Sequence, residues 1–387
     1  MTQDLLVQLR HDLHKIPEVS GEEQETAAFV CRFLAAYSPD ELITGLGGHG
    51  VAAVFDGRTP GPTVLIRCEL DGLPIEELSD VPYRSQRAGR GHLCGHDGHM
   101  AMVAGLAMEL HDNRPAAGRV VLLFQPAEET GKGAPAVIAD PRFERIAPDF
   151  AFSLHNLPGL PIGEVALCMG PANCASRGMR IRLQGRTSHA AAPQDGVSPA
   201  GAIVTLLPAL VALANAGELG PDFALVTVTH VRLGEATFGI APGEAEIWVT
   251  LRTVTDARMS QLIRDAEALV TRACAAEGLA RDIAYDDVFD ACTNHPDASA
   301  RIEAACRSLD LRCHLQQVPQ RWSEDFGQFG KRAKAAMFWL GSGEDQPQLH
   351  NPDFDFPDAA LPVGLSVFRR IVEDLTSGRD GGNIPAF

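Results

Sequence analysis

The sequence predicts an α/β fold, a mainly parallel sheet covered on both faces by helices and interrupted by a smaller α+β domain of ferredoxin-like order. Three observations predict it. Strand-like apolar runs alternate with helix-like segments through the first half. From about Met179 the order becomes β-α-β-β-α-β, and from about Ala291 the first texture resumes. The 387 residues also exceed the usual extent of a single core, so two domains are expected. The boundaries fall at 1–177 and 291–387 for the larger domain and 178–290 for the inserted one.

The elements follow in order. Leu5 to Leu13 and Glu22 to Leu34 carry helical apolar spacing, and Ser20 with Glu23 forms a candidate capping box. Val51–Phe55 and Thr63–Arg67 read as strands, and a helix is expected from about Gly98 to Leu110. Arg119–Phe124 and Phe150–Leu154 are apolar enough for buried strands. In the inserted segment Met179–Leu183 alternates as a half-exposed strand, followed by a helix from Pro199 to Ala214. Strands from Phe223 to Val231 and Ala245 to Leu251, a helix from Arg258 to Ala276 and a strand from Asp282 to Val288 complete it. Ala335–Leu340 is a strand and Leu361 to Leu375 the closing helix, and the tail from Gly378 to Asn383 is expected to be mobile.

Composition narrows the function. A net charge of -17 argues against nucleic acid and anionic membranes as partners. Nine cysteines without a C-x-x-C pair suit a reducing compartment, with Cys31, Cys168, Cys274 and Cys306 read as small buried apolar residues. The N-terminus lacks a basic segment followed by an apolar one, and no apolar run is long enough to span a bilayer. A cytoplasmic location is therefore expected.

The chemistry concentrates at strand ends, where open α/β sheets gather ligands. Gly91-His92-Leu93-Cys94-Gly95-His96-Asp97-Gly98-His99 places three imidazoles, a thiol and a carboxylate in nine residues at the start of a helix. Thiolate and imidazole are ligands that zinc prefers. Glu128 and Glu129 follow the Arg119 strand, His155 ends the Phe150 strand, and His350 follows the Ala335 strand. Adjacent carboxylates are usually a solvated loop, and a lone histidine is usually structural. At the end of a buried strand, however, a carboxylate pair can divide labour, one binding metal while the other takes a proton from water. Five candidate ligands exceed what one tetrahedral zinc needs, which suggests two ions about 3.5–4 Å apart.

Five segments, Arg67 to Pro74, His92 to His99, Phe124 to Gly131, Leu154 to Pro158 and His350 to Gly364, resemble the M20 metallopeptidase family. The similarity is greatest to its aminoacylase, hippurate hydrolase and auxin-conjugate amidohydrolase branch. It begins at Arg10-His11-Asp12-Leu13-His14 with Pro17-Glu18 and covers nearly the whole chain. The resemblance implies a zinc-exopeptidase-like catalytic domain with two divalent ions, interrupted by a lid that commonly serves dimerisation. Zinc is the expected metal, with manganese, cobalt and nickel as alternatives. It implies Cys94, His96, Glu129, His155 and His350 as metal ligands and Glu128 as general base and later proton donor. Asp71 and Asp97 become candidate residues for orienting the imidazoles. His189, in Gly185-Arg186-Thr187-Ser188-His189-Ala190, matches a histidine that reaches a neighbouring subunit's site and stabilises an oxyanion. Arg252 matches a basic residue suited to a substrate carboxylate. The implied activity is hydrolysis of the amide bond of a small N-acyl amino acid by a homodimer, with a di- or tripeptidase as the alternative within the family and a non-catalytic binding protein outside it. Two departures stand out. Cys68-Glu69 occupies a position where relatives commonly carry Ala-Asp, and Gly239-Ile240-Ala241-Pro242 lacks an asparagine linked to substrate binding in many relatives.

Overall fold

The structure is a computed structural model that describes residues 2–215 and 217–378. Met1 and the expected mobile tail from Arg379 onward lie outside the described residues. In chain order the principal elements begin with α1 (Thr2–His14), α2 (Gln24–Ala35), β1 (Glu41–Leu46), β2 (Gly50–Asp56) and β3 (Thr59–Glu69). Next come α3 (His96–Asp112), β4 (Ala117–Gln125), α4 (Gly133–Ala139), β5 (Phe150–Pro158) and β6 (Val165–Cys168). Then follow β7 (Ala175–Gln184), α5 (Ala200–Val211), β8 (Ala224–Leu233), β9 (Glu244–Thr253), α6 (Asp256–Glu277) and β10 (Ala280–Phe289). The chain closes with α7 (Pro296–Ser308), β11 (Cys313–Gln316), β12 (Lys334–Gly343) and α8 (Leu361–Thr376). Residues Asn173–Cys292 and Val318–Glu324 form a second compact unit, and the rest of the described chain forms the first.

The first unit is built on an eight-stranded sheet of order β1-β2-β4-β3-β5-β12-β6-β11. Its centre, β4-β3-β5-β12, is parallel throughout. Antiparallel pairings occur where β1 meets β2, β2 meets β4 and β12 meets β6. Strand interiors such as Val51–Phe55 and Val120–Phe124 are buried on both faces, as a helix-covered parallel sheet requires. Helix α3 is buried all round from His96 to Ala107 and packs against both α1 and α8.

The second unit is a four-stranded antiparallel sheet of order β8-β9-β7-β10. Alternate residues Met179, Ile181, Leu183, Ile247, Val249 and Leu251 point into a core closed by Leu206 and Leu210 of α5 and Leu262 and Val270 of α6. Helix α6 starts where Thr255 Oγ1 accepts the Arg258 N–H at 3.2 Å, and stops at Gly278, whose φ of 65° only glycine adopts readily.

Some expectations need correction. Ser20 and Glu23 form no capping box at α2. Ser20 Oγ donates instead to Asp71 Oδ2 at 2.7 Å, and Glu23 Oε1 accepts the backbone N–H of Ala127 at 2.7 Å. Long-range partners have outcompeted the local cap. His155 lies inside its strand, which runs on to Pro158. Helix α7 and strands β1, β6 and β11 were not foreseen, since each is short or carries only a narrow apolar stripe. Cys31 is only partly buried, whereas Cys168, Cys274 and Cys306 are buried. No helix among the described residues is long and apolar enough to cross a membrane.

Candidate active site

The candidate ligands come from the carboxyl side of the parallel strands of the first unit. Beyond β3 the chain runs to Cys94-Gly95-His96, where Gly95 adopts a φ of 92° at the start of α3. That glycine is required twice over. Its backbone is left-handed, and a Cβ there would stand 2.4 Å from Asn156 Oδ1. The turn places Cys94 Sγ 3.3 Å from His155 Nε2. The ligand atoms of Cys94, His96 and His155 all lie within 4.8 Å of one another, as do those of Cys94, Glu129 and His350. Glu129 Oε1 bridges the two groups, 3.9 Å from His96 Nε2 and 3.6 Å from His350 Nε2.

Glu128 belongs to a third such group, with His96 and Glu129. The turn that presents both glutamates reverses at Ala127, whose φ of 51° is unfavourable for an alanine. Hydrogen bonds hold it there. Glu23 takes the Ala127 N–H, while the Gly131 and Gly133 N–H groups donate to the carbonyls of Glu128 at 2.7 Å and Ala127 at 3.0 Å. His350 is also left-handed, with a φ of 67° and a half-exposed side chain. Strained backbone at two site residues is what an over-determined functional turn shows.

The electrostatics favour a cation. Burial pushes the Cys94 thiol well up, and the charges of Glu129 and Glu128 add to it. His155 is held well below its ordinary value by burial and by His99 and His96. Burial also pulls His96 down, but the Asp71 hydrogen bond and the charges of Glu69, Asp71 and Glu129 together push it up to about 10. Its Nδ1 is fixed on the Asp71 carbonyl at 2.8 Å, while its buried Nε2 has no hydrogen-bond partner among the described residues. A buried imidazole with one nitrogen anchored and the other open, facing carboxylates and a thiol, fits a divalent ion.

Around these groups lies a buried polar layer. Asp71 Oδ2 accepts the Glu129 N–H at 3.0 Å and so ties the two strand-end loops together. Asp97 does not orient a candidate ligand as expected. Its Oδ2 lies 2.8 Å from His14 Nδ1 and 3.2 Å from Arg10 Nη1, which fastens α1 to the start of α3. His99, for which the sequence suggested no role, has Nδ1 2.6 Å from Glu69 Oε2 and Nε2 2.7 Å from Asn156 Oδ1. Burial raises the Glu69 carboxyl, but Arg67 and His99 more than offset this and hold it well below the carboxylate range. The signals available were the acidic departure at Glu69 and the third histidine of the nine-residue run.

His189 and Arg252 belong to the second unit. His189 lies in a two-residue strand paired with Ile240–Ala241, and its Nδ1 accepts the Ala191 N–H at 3.0 Å. Arg252 is the penultimate residue of β9, where Nη1 donates to the Arg321 carbonyl at 3.1 Å and to Ser323 Oγ at 3.0 Å. It forms no ion pair with a carboxylate among the described residues, and burial lowers its pKa.

The chain is similar to known proteins over most of its length. Residues 65–374 match peptidase family M20/M25/M40. Over 357 residues the chain is 30% identical to the N-acetyl-L-cysteine deacetylase of Bacillus subtilis (strain 168), covering 92% of this chain and 84% of that one. Over 382 residues it is 30% identical to the N-acetyldiaminopimelate deacetylase of Priestia megaterium, covering 96% and 99%. The crystal structure of a Bacillus subtilis protein, a dinuclear metal-binding peptidase from the M20 family, superposes with a TM-score of 0.81 at 26% identity, covering 97% and 99%. With its parallel-sheet fold, its strand-end cluster and this match over most of its length, the chain belongs to peptidase family M20/M25/M40.

Proposed function

We propose that this M20-family hydrolase is a dinuclear metal-dependent amidohydrolase that cleaves the amide bond of small N-acyl amino acids. Cys94, His96, Glu129, His155 and His350 are the proposed ligands and Glu128 the general base. The observation that carries the reading is the place of Glu128. It is a buried carboxylate within the same group as His96 and Glu129, on the turn that also presents Glu129. A site that only binds metal has no need of it.

Held by those five ligands, two divalent ions would polarise the scissile carbonyl and bring the pKa of water down toward neutrality. Glu128 takes the proton of the attacking water and later delivers it to the leaving nitrogen as the C–N bond breaks. The Asp325 N–H, 3.4 Å from Glu128 Oε1, steadies that carboxylate from behind. Arg252, without a carboxylate of its own, is proposed to receive the carboxylate of the amino-acid product. His189 is proposed to donate to the oxyanion in the site of a neighbouring subunit.

A homodimer through the second unit is supported by that unit's surface. β8 is an edge strand with Val231 and Leu233 exposed, and Val204 and Val211 are exposed on α5. Light scattering is expected to show a dimer, and a monomer would remove the trans role of His189.

The chemistry is tested by elemental analysis of the purified protein together with a hydrolysis panel of N-acetylcysteine, N-acetyldiaminopimelate, hippurate and dipeptides. About two divalent ions per chain and amine release from the N-acyl amino acids are expected. Zinc is the expected metal, with manganese, cobalt or nickel competent at a mixed N/O/S site. Hydrolysis of dipeptides alone would transfer the reading to the peptidase branch. Binding without hydrolysis would make the chain a binding protein.

A further inference from the structure

Arg67, near the end of β3, is fully buried and uses its whole fork. Nε donates to Gln125 Oε1 at 2.9 Å, Nη1 donates to Glu69, and Nη2 donates to Asp325 Oδ1 at 2.6 Å. The two carboxylates lead in different directions. Glu69 holds His99, whose ring packs edge-on against His155 with centroids 4.8 Å apart. His99 in turn meets the Asn156 side chain that fills the space above Gly95, between Cys94 and His96. In the other direction, Asp325 takes hydrogen bonds from Gln125 Nε2 at 2.9 Å and the Ala134 N–H at 2.8 Å. Its own N–H donates to Glu128 Oε1. Every one of these residues belongs to the first unit.

We propose that Arg67 is a positioning residue that sets the spacing between the Cys94–His96–His155 cluster and Glu128, acting through Glu69 on one side and Asp325 on the other. The inference rests on the reading of those residues as ligands and base. A planar guanidinium fixes three donor directions at once, which a lysine ammonium on a flexible stem does not. The two carboxylates would repel each other without a cation between them. Their common partner is therefore also the element that relates one side of the site to the other.

The test uses full-length protein loaded with cobalt(II), whose visible spectrum reports ligand geometry independently of turnover. Arg67→Lys, Glu69→Gln and Asp325→Asn are compared with wild type for cobalt spectrum, cobalt affinity against a competing chelator, kcat, KM and thermal midpoint. Glu69→Gln is expected to shift the spectrum and weaken cobalt binding about 10–100-fold. Asp325→Asn is expected to keep the spectrum and KM while lowering kcat about tenfold. Arg67→Lys is expected to move both readouts. An Arg67→Lys protein with a lower midpoint but wild-type spectrum and kcat would overturn the proposal, since that is plain scaffolding. Should Arg67→Lys fail to fold, the other two carry the test, and a Glu69→Gln and Asp325→Asn pair showing the same effects, without the split, would overturn it. The parent reading fails by different signs: no amide hydrolysis by cobalt-loaded wild type, or full turnover in Glu128→Gln. The cobalt spectrum of Arg67→Lys still decides the positioning role in that event, with a wild-type spectrum counting against it.

Discussion

The two units handle charge in opposite ways. Both are sheets with helices against them, and both bury aliphatic side chains. The first also buries Arg10, Arg67, Glu69, Asp71, His96, Asp97 and His99. In the second, Glu324 is the buried exception among the described residues, and charged side chains of the sheet sit mostly on its open face, as in Arg180–Asp286 at 3.1 Å with 32% and 53% of each side chain exposed. Burying an ion costs several kcal/mol unless partners of good geometry surround it, and apolar replacements are often as stable. A fold that needed only stability would resemble the second unit throughout. The buried charges of the first unit cluster where parallel strands end, and that placement points to chemistry.

The contrast can be broken experimentally, starting with the largest effect. Glu128→Gln in metal-loaded protein is expected to lower kcat about 10²–10⁴-fold with unchanged metal content. The same change at Glu246 in the second unit is expected to leave kcat within about twofold, because Glu246 belongs to none of the candidate metal-holding groups among the described residues and its partner Arg182, 3.6 Å away, is 60% exposed. Steady-state kinetics with elemental analysis check both, and equal losses would erase the distinction.

A second effect concerns pH. Burial pulls His14 down, but the charge and hydrogen bond of Asp97 and the hydrogen bond of Glu77 outweigh it and raise the imidazole to about 9. With an unfolded value near 6.5, the stabilisation is complete below that pH and lost as pH rises through about 9, on the order of 3 kcal/mol in all. Asp97 is depressed against its burial by His14 and Arg10. Its share is therefore present above about pH 4 and lost as the pH falls further. Urea unfolding at pH 6.5 and 9.5 is expected to show the alkaline loss in wild type and a much smaller one in Asp97→Asn. Equal losses in both proteins would sever the pair from the effect.

Smaller effects sharpen the comparison. Ala127→Gly is expected to raise stability by about 1 kcal/mol, since glycine adopts the left-handed backbone freely. Asp287 in the second unit has a φ of 47°, yet aspartate tolerates this region, so Asp287→Gly is expected to gain less. Thermal melts rank the two, and a larger gain at Asp287 would argue against stored strain at the glutamate turn. Least of all, Arg180→Ala on the open sheet face is expected to shift stability by no more than about 0.5 kcal/mol by the same measurement.

Much of this molecule is legible in the order of its residues. The principal strands and helices carry periods that burial imposes, and the thirteen residues from Gly98 to Leu110 already read as helix behind a metal-like run. The positions of Cys94, His96, Glu128, Glu129 and His155 could be marked because each lies in or within a few residues of a recognisable strand or helix, whereas His350 lies seven residues beyond β12. Short elements such as β6 and β11 escaped because four residues hold too little pattern to stand out.

What the chain order alone determines is local: which segments alternate, which face is apolar, and which ligand types stand at strand ends. The tertiary structure decided the pairings. Glu69 meets His99 from 30 positions away, His99 meets Asn156 from 57, and Arg67 meets Asp325 from 258. It also turned Asp97 from the candidate ligands toward His14 and Arg10. The physical reason is that a buried charge is tolerable only beside its partner, and partners are chosen by contact in a low-dielectric interior, not by separation along the chain.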